Sequence, residues 1–273
     1  MAAVGRRRDD LDRWSPPVLR ARAGGPAERF ATWVGKRHPV AVFFAALLTG
    51  YAVLAGLSVL LGLFVTDVLL HTGGLAETDR STIESIVDER TPFLTDASEV
   101  GSAVGGAPVL PILVGLVALV CAAMRKWRIA AFAVFVLVVE SATYRVTSLL
   151  IPRDRPSVQR LEDLPVDASY PSGHTAASIA VYAGLVLLLT STIRDRGLRL
   201  AAWAAAVLLP IVVALSRMYR GMHHPLDVAG GVLVGIGAVL VLLFACRAAE
   251  AAVRAGAPSR GTVVSRDRAR ATA

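Results

Sequence analysis

Six stretches of the chain are apolar for about as long as a bilayer crossing requires, and polar segments separate them: residues 40–70, 103–123, 129–151, 172–189, 200–215 and 226–246. A bilayer's hydrocarbon core takes about 20 helical residues. In lipid every backbone group must be satisfied within the segment, so each stretch predicts a helix. The expected fold class is all-α, a polytopic membrane protein with six transmembrane helices. The first stretch is longer than needed, which predicts tilt or extension past the surface. Pro210 predicts a kink in the fifth and not a break.

The polar segments differ in kind. Residues 1–38 are broken by Pro16, Pro17, Gly24, Gly25 and Pro26 and read as a disordered basic cytoplasmic tail. Residues 39–248 form the membrane domain, and 249–273 a second basic cytoplasmic tail. Between the first two spans, Ser81-Thr82-Ile83-Glu84 reads as a capping box opening a short amphipathic helix that Pro92 ends. A plain connecting loop is the equal alternative. Glu140 and Arg145 lie inside the third stretch, where ionisable groups are functional or paired. Arg145 is expected to pair with Glu140 or another buried group.

Composition agrees with a membrane protein. The chain is 55% hydrophobic with a mean hydropathy of +0.58, more apolar than ordinary soluble domains. The net charge of +8 comes from 27 arginines and two lysines against 21 acids. The tails, together with Arg247 just before the second, and the connections 125–128 and 192–199 carry 21 of these 29 cations; the opposite face carries seven. That asymmetry predicts cytoplasmic tails in a cell membrane and contact with anionic lipid headgroups, with no nucleic acid as partner. Cys121 and Cys246 have no partner motif and read as packing.

Chemistry gathers where apolar stretches begin and end. Arg153-Asp154-Arg155-Pro156, Tyr170-Pro171-Ser172-Gly173-His174 and Ser216 to Asp227 (SRMYRGMHHPLD) hold most of the functional side chains. Two spans separate His174 from Arg217, so all three clusters reach one membrane face. Arg155 and Arg217 have planar forks suited to phosphate oxygens. Ser172, Gly173 and His174 open an apolar helix, whose free N–H groups and dipole favour an anion. His223 and Asp227 are four apart. If a helix starts at His223, they share a face, and the carboxylate can hold one ring nitrogen while the other attacks. His174 is a second imidazole for proton transfer. No cluster has metal-ligand spacing, so metal-free chemistry without cofactors is expected.

Arg155-Pro156, Pro171-Ser172-Gly173-His174 and Ser216-Arg217-x5-His223-x3-Asp227 resemble the three signature motifs of the type 2 phosphatidic acid phosphatase superfamily, the integral-membrane lipid phosphate phosphatases. The resemblance covers roughly residues 125–246. It implies His223 as the phosphohistidine, Asp227 as its orienting group and His174 as general acid then base. It also implies that Arg155, Arg217, Ser172 and the Gly173 amide hold the phosphate of a lipid phosphate or pyrophosphate. The first motif departs from the family pattern Lys-x6-Arg-Pro, because Ser148 stands at the lysine position. Arg153, two residues from Arg155 in an extended segment, is the expected stand-in as a phosphate ligand. A non-catalytic lipid-phosphate binder and a transporter are the rival classes.

Overall fold

The computed structural model describes residues 16–35, 37–163 and 168–256. All regular elements among them are helical. Helix α1 (Pro26–Val34) precedes the first long helix, α2 (Pro39–Leu63), which runs on through a π-helical turn at Phe64–Val68. Helices α3 (Leu75–Asp88) and α4 (Pro92–Ala103) follow, then α5 (Val109–Ala123), α6 (Trp127–Leu150), α7 (Gly173–Thr190), α8 (Arg196–Tyr219) and α9 (Pro225–Ala255).

Five helices, α2 with its extension, α6, α7, α8 and α9, are long and apolar enough to cross a membrane. The sixth expected span is the short one. Helix α5 has 15 residues, about 22 Å at ~1.5 Å per residue, against a hydrocarbon core of roughly 30 Å. Of the residues expected at its start, Ala103 ends α4 and 104–108 form the connection, with Gly105, Gly106 and Pro108 between the two helices. The amphipathic helix expected near residue 81 begins earlier, at Leu75, behind a left-handed Gly74. Ser81 is therefore mid-helix and not a cap, and Pro92 opens α4 as well as ending the connection. Helix α8 passes through Pro210 without a break.

Part of the expected N-terminal tail is folded. Leu19, Ala27 and Ala31 are buried against the C-terminal half of α9. The Ala21 N–H donates to Glu250 at 2.8 Å, and Arg247 donates to the Val18 carbonyl at 2.9 Å. A short apolar face on α1 found a partner that composition alone did not reveal. Helix α9 likewise continues to Ala255, past the expected boundary at 248. Residues 1–15 and 257–273, also expected as tail, lie outside the described residues.

Helix α9 is the centre of the bundle and packs against α1, α2, α6 and α7. Lipid tails are as apolar as leucine, so helices in a membrane associate through close backbone approach at small residues. Added Cβ atoms on Gly231 and Gly235 would come within 2.5 Å of the Ser172 carbonyl and 2.6 Å of the Ala176 carbonyl, both on the α7 side. On Gly230 one would meet the Tyr170 ring at 2.5 Å. These glycines let α9 draw the start of α7 against it. The C-terminal ends of α6 and α8 and the N-terminal ends of α7 and α9 consequently meet at one end of the bundle. The α3–α4 pair lies over that end: Arg90 donates to the Tyr219 carbonyl at 2.8 and 3.0 Å and to the Gln159 carbonyl at 2.8 Å.

Gly231→Ala should therefore destabilise the detergent-solubilised protein by about 1–3 kcal/mol, because neighbouring backbone must shift. Gly115→Ala, where an added Cβ meets nothing within 4 Å, should be neutral or slightly stabilising. Thermal melts of the two variants beside the parent check this.

Candidate active site

Helix α9 begins at Pro225 with His224 as its N-cap, so Asp227 is the third helical residue. The start at Pro225 leaves unmet the condition on which the expected Asp227–His223 pairing rested, a helical turn from His223, and changes what Asp227 holds. Its Oδ2 accepts the His224 N–H at 2.7 Å and the Ser169 hydroxyl at 2.5 Å, and its Oδ1 accepts from Arg153. It stands 3.9 Å from the His223 Nδ1, beyond hydrogen-bond reach. The His223 ring is held instead by the Ser169 carbonyl, 2.8 Å from Nδ1. A carbonyl only accepts, so Nδ1 carries the proton and Nε2 keeps its lone pair. The expected direct Asp227–His223 bond is replaced by a relay through Ser169, with the same tautomer as result.

His223 is 2% exposed. Burial pushes its imidazole well below the ordinary value; Asp227 opposes this, while Arg217, Arg155 and His174 add to it. The ring is thus a neutral base near neutral pH. His174 lies in the first turn of α7, and the α4–α5 connection covers it: a Cβ on Gly106 would come 2.6 Å from its Nε2. His174, His223, Arg155 and Gly173 all line one cavity of about 290 Å³, whose far wall includes Leu110, Pro111, Leu137 and Ala177.

Arg217 is fully buried. Its Nη1 donates to Ser102 at 2.7 Å and to Glu162 at 2.5 Å, while Nε and Nη2 have no partner. A buried charged donor left unsatisfied costs on the order of 1–3 kcal/mol or more. The Nε–Nη2 edge is the one that grips an oxyanion with two parallel bonds. Glu162 also accepts from Arg220 Nε at 2.5 Å. Burial alone would raise the Glu162 carboxyl, but Arg217 and Arg220 outweigh it and hold it below its ordinary value. Arg155 donates to the Met222 and Ala168 carbonyls at 2.6 and 3.2 Å, which turns its guanidinium along the cavity wall.

Three expected phosphate ligands, Arg217, Arg153 and Ser172, are not among the residues that line the cavity. Arg153 lies between two carboxylates, Asp227 and Asp79, and is buried away from the cavity lining. Both ends of its fork are engaged by these carboxylates. Ser172 gives its N–H to the Asp227 carbonyl at 2.9 Å and shares its hydroxyl with Thr175 at 3.0 Å. Ser148 turns its hydroxyl back to the Arg145 carbonyl at 3.1 Å. Arg145 is exposed, and the Glu140 carboxylate, expected as its partner, accepts from Ser141 at 3.0 Å instead. Among the described residues no three His, Cys, Asp or Glu side chains converge as a metal-binding group.

The sequence reading missed Asp79, Glu162 and Ser169. Asp79 had a signal: it shares the buried face of α3 with Ile83, four residues on. An acid on an otherwise buried face needs a partner. Ser169 and Glu162 belong to an irregular loop and had none.

A bundle of apolar helices whose ends meet around two imidazoles and a buried arginine with two unpartnered donors defines an integral-membrane protein with a polar site at one end. Residues 129–250 match the model of the PAP2 superfamily. An undecaprenyl-diphosphatase of Sulfolobus acidocaldarius is 41% identical over 75 residues, 28% of this chain and 32% of that protein. Human sphingosine-1-phosphate phosphatase 2 is 36% identical over 92 residues, 34% of this chain and 22% of that protein. The chain thus aligns with about a third or less of these relatives' length. A PAP2-type phosphatidylglycerolphosphate phosphatase from Bacillus subtilis has the same fold, with a TM-score of 0.59 and 22% identity over 75% of this chain and 94% of that one.

Removing the Arg153 guanidinium leaves Asp79 and Asp227 buried without their common counter-charge. Arg153→Ala should cost about 3–5 kcal/mol of stability, while exposed Arg145→Ala should stay within ~0.5 kcal/mol; thermal or denaturant unfolding in detergent reads both. Glu162→Gln should be less stable than the parent at neutral pH. Because the folded carboxyl titrates below its ordinary value, its contribution is complete above that value and is lost as pH falls through the depressed one. The difference between variant and parent melts should therefore shrink as the pH is lowered through the carboxylate range.

Proposed function

We propose that the protein is a metal-independent phosphatase acting on a lipid phosphate or pyrophosphate through a phosphohistidine at His223. The observation that carries this reading is the buried, unpartnered Nε–Nη2 edge of Arg217 beside two imidazoles, one with its attacking nitrogen fixed by tautomer. Arg217, Arg155 and the first-turn N–H groups at Gly173 and His174, which have no intrahelical acceptor, would hold the phosphoryl oxygens. Substrate entering as the phosphate monoanion passes its proton to His174; His223 Nε2 attacks phosphorus, the ester or anhydride bond to the lipid oxygen breaks, and His174 gives that proton to the leaving oxygen. Water, deprotonated by His174, then releases phosphate from His223. Ser169 and Asp227 fix the ring; they do not touch the substrate.

The apolar cavity wall suits the first carbons of a lipid tail, and the named activities of the relatives, on undecaprenyl diphosphate and sphingosine 1-phosphate, agree with a lipid phosphate as substrate class. We further infer a cell-membrane protein with cytoplasmic tails and an outward active site, supported by the 21-to-seven division of basic residues between the two faces.

His223→Ala should abolish phosphate release by the purified protein, whereas Asp227→Asn should retain part of it in whatever fraction still folds. Labelled phosphate trapped on an acid-labile, base-stable histidine would support the intermediate. Turnover surviving in His223→Ala would overturn it. Vanadate should inhibit, and a chelator should not; activity lost to chelator and restored by magnesium would refute the metal-free mechanism.

A further inference from the structure

The mechanism leaves one buried ionisable group in the cavity unused. Glu140 lies on α6 in the membrane-spanning part of the bundle and is 1% exposed. Its Oε2 accepts from the Ser141 hydroxyl at 3.0 Å, and its Oε1 has no partner. It lines the same cavity as His174, His223, Arg155 and Gly173. Tyr144 fixes the depth: the Gly173 Cβ position lies 3.1 Å from the Tyr144 ring, and Glu140 is one helical turn deeper, roughly 6 Å at 1.5 Å per residue. The carboxyl therefore sits below the phosphoryl seat, where the first atoms of a lipid tail beyond the ester oxygen would pass.

An acid placed there works against a purely hydrocarbon tail. Burying an unsatisfied carboxyl oxygen against methylenes is costly, while a hydrogen-bond donor in that place satisfies it. Sites with a buried polar group discriminate steeply against analogues that lack the matching partner. The expected partner is a hydroxyl or ammonium group, since both donate.

Resting on the phosphatase reading above, we propose that Glu140 is a specificity-determining residue, selecting lipid monophosphates that carry a hydroxyl or amine donor a few bonds from the phosphate ester. A plain alkyl or polyprenyl chain would meet the same carboxyl without satisfying it.

The test uses the full-length protein in detergent with a matched pair of probes. One is a long-chain alkyl phosphate bearing a hydroxyl on the carbon beyond the ester carbon; the other is the unsubstituted alkyl phosphate of equal chain length. An amino analogue of the first separates ammonium from hydroxyl preference. The parent should favour the donor-bearing probes in kcat/KM. Glu140→Leu should reduce that preference by about threefold to tenfold, the range for a single net hydrogen bond. Glu140→Gln, isosteric and still an acceptor, should lose only part of it and guards against a folding defect. An active parent without the preference, or a Glu140→Leu variant that keeps it, overturns this inference alone. A parent that hydrolyses neither these probes nor the small soluble p-nitrophenyl phosphate removes the phosphatase reading and this inference together.

Discussion

Asp227 is a fully buried carboxylate at the end of the bundle where α7 and α9 meet, and the geometry of that end follows from how its charge is compensated. Its partners come from separate parts of the chain: Arg153 from the segment after α6, Ser169 from the loop before α7, and the His224 N–H at the start of α9. Arg153 in turn holds Asp79 of α3, whose other oxygen accepts the Leu226 N–H at 3.0 Å. One arginine cannot neutralise two acids. The balance is supplied by α9, whose first N–H groups and positive dipole end receive both. Removing any member leaves an uncompensated buried charge, which is why such clusters fix a unique arrangement even where their net stabilisation is small.

That arrangement separates two tasks. Asp227 anchors the chain, and His223 stays one residue outside the cap of α9, where its ring can face the cavity. Ser169 joins them, because its hydroxyl bonds the carboxylate while its own carbonyl holds Nδ1. The imidazole is thus oriented by a rigid backbone group. It avoids full pairing with a charge that would raise its basicity and hold it protonated.

Much of the fold was legible because lipid leaves the backbone few choices. Apolar length located α2 and α6 to α9 to within a few residues at most ends, and the parity of spans correctly put the three polar clusters together. Charge-bearing positions with defined spacing, His174, Arg155 and His223, reach the cavity. Legibility failed where a helix boundary decides the geometry. A start at Pro225 rather than His223 turns Asp227 from a ring ligand into a cap. It failed again for Arg153, where alternation along an extended segment gave a direction but could not reveal acids from α3 and α9 waiting on that side. The N-terminal residues showed the converse error: a segment rich in Arg, Pro and Gly was read as disordered, yet Leu19, Ala27 and Ala31 pack on α9 and hydrogen bonds from Ala21 and to Val18 tie it there.

The absent lysine changes the charge balance around the two imidazoles. With Ser148 at the motif position and Arg153 committed to acids, Arg155 and Arg217 are the cations beside the two imidazoles, and Glu162 lies against Arg217. Glu162 takes Nη1 and leaves the Nε–Nη2 edge open, so it costs the site positive potential without occupying the seat. A guanidinium so fixed loses little rotamer freedom on gripping an anion, and preorganised donors gain most in a water-poor cavity. The site therefore trades one cation for rigidity. On the proposed mechanism the loss falls on long-range attraction of the phosphate and spares the donors that contact it during transfer.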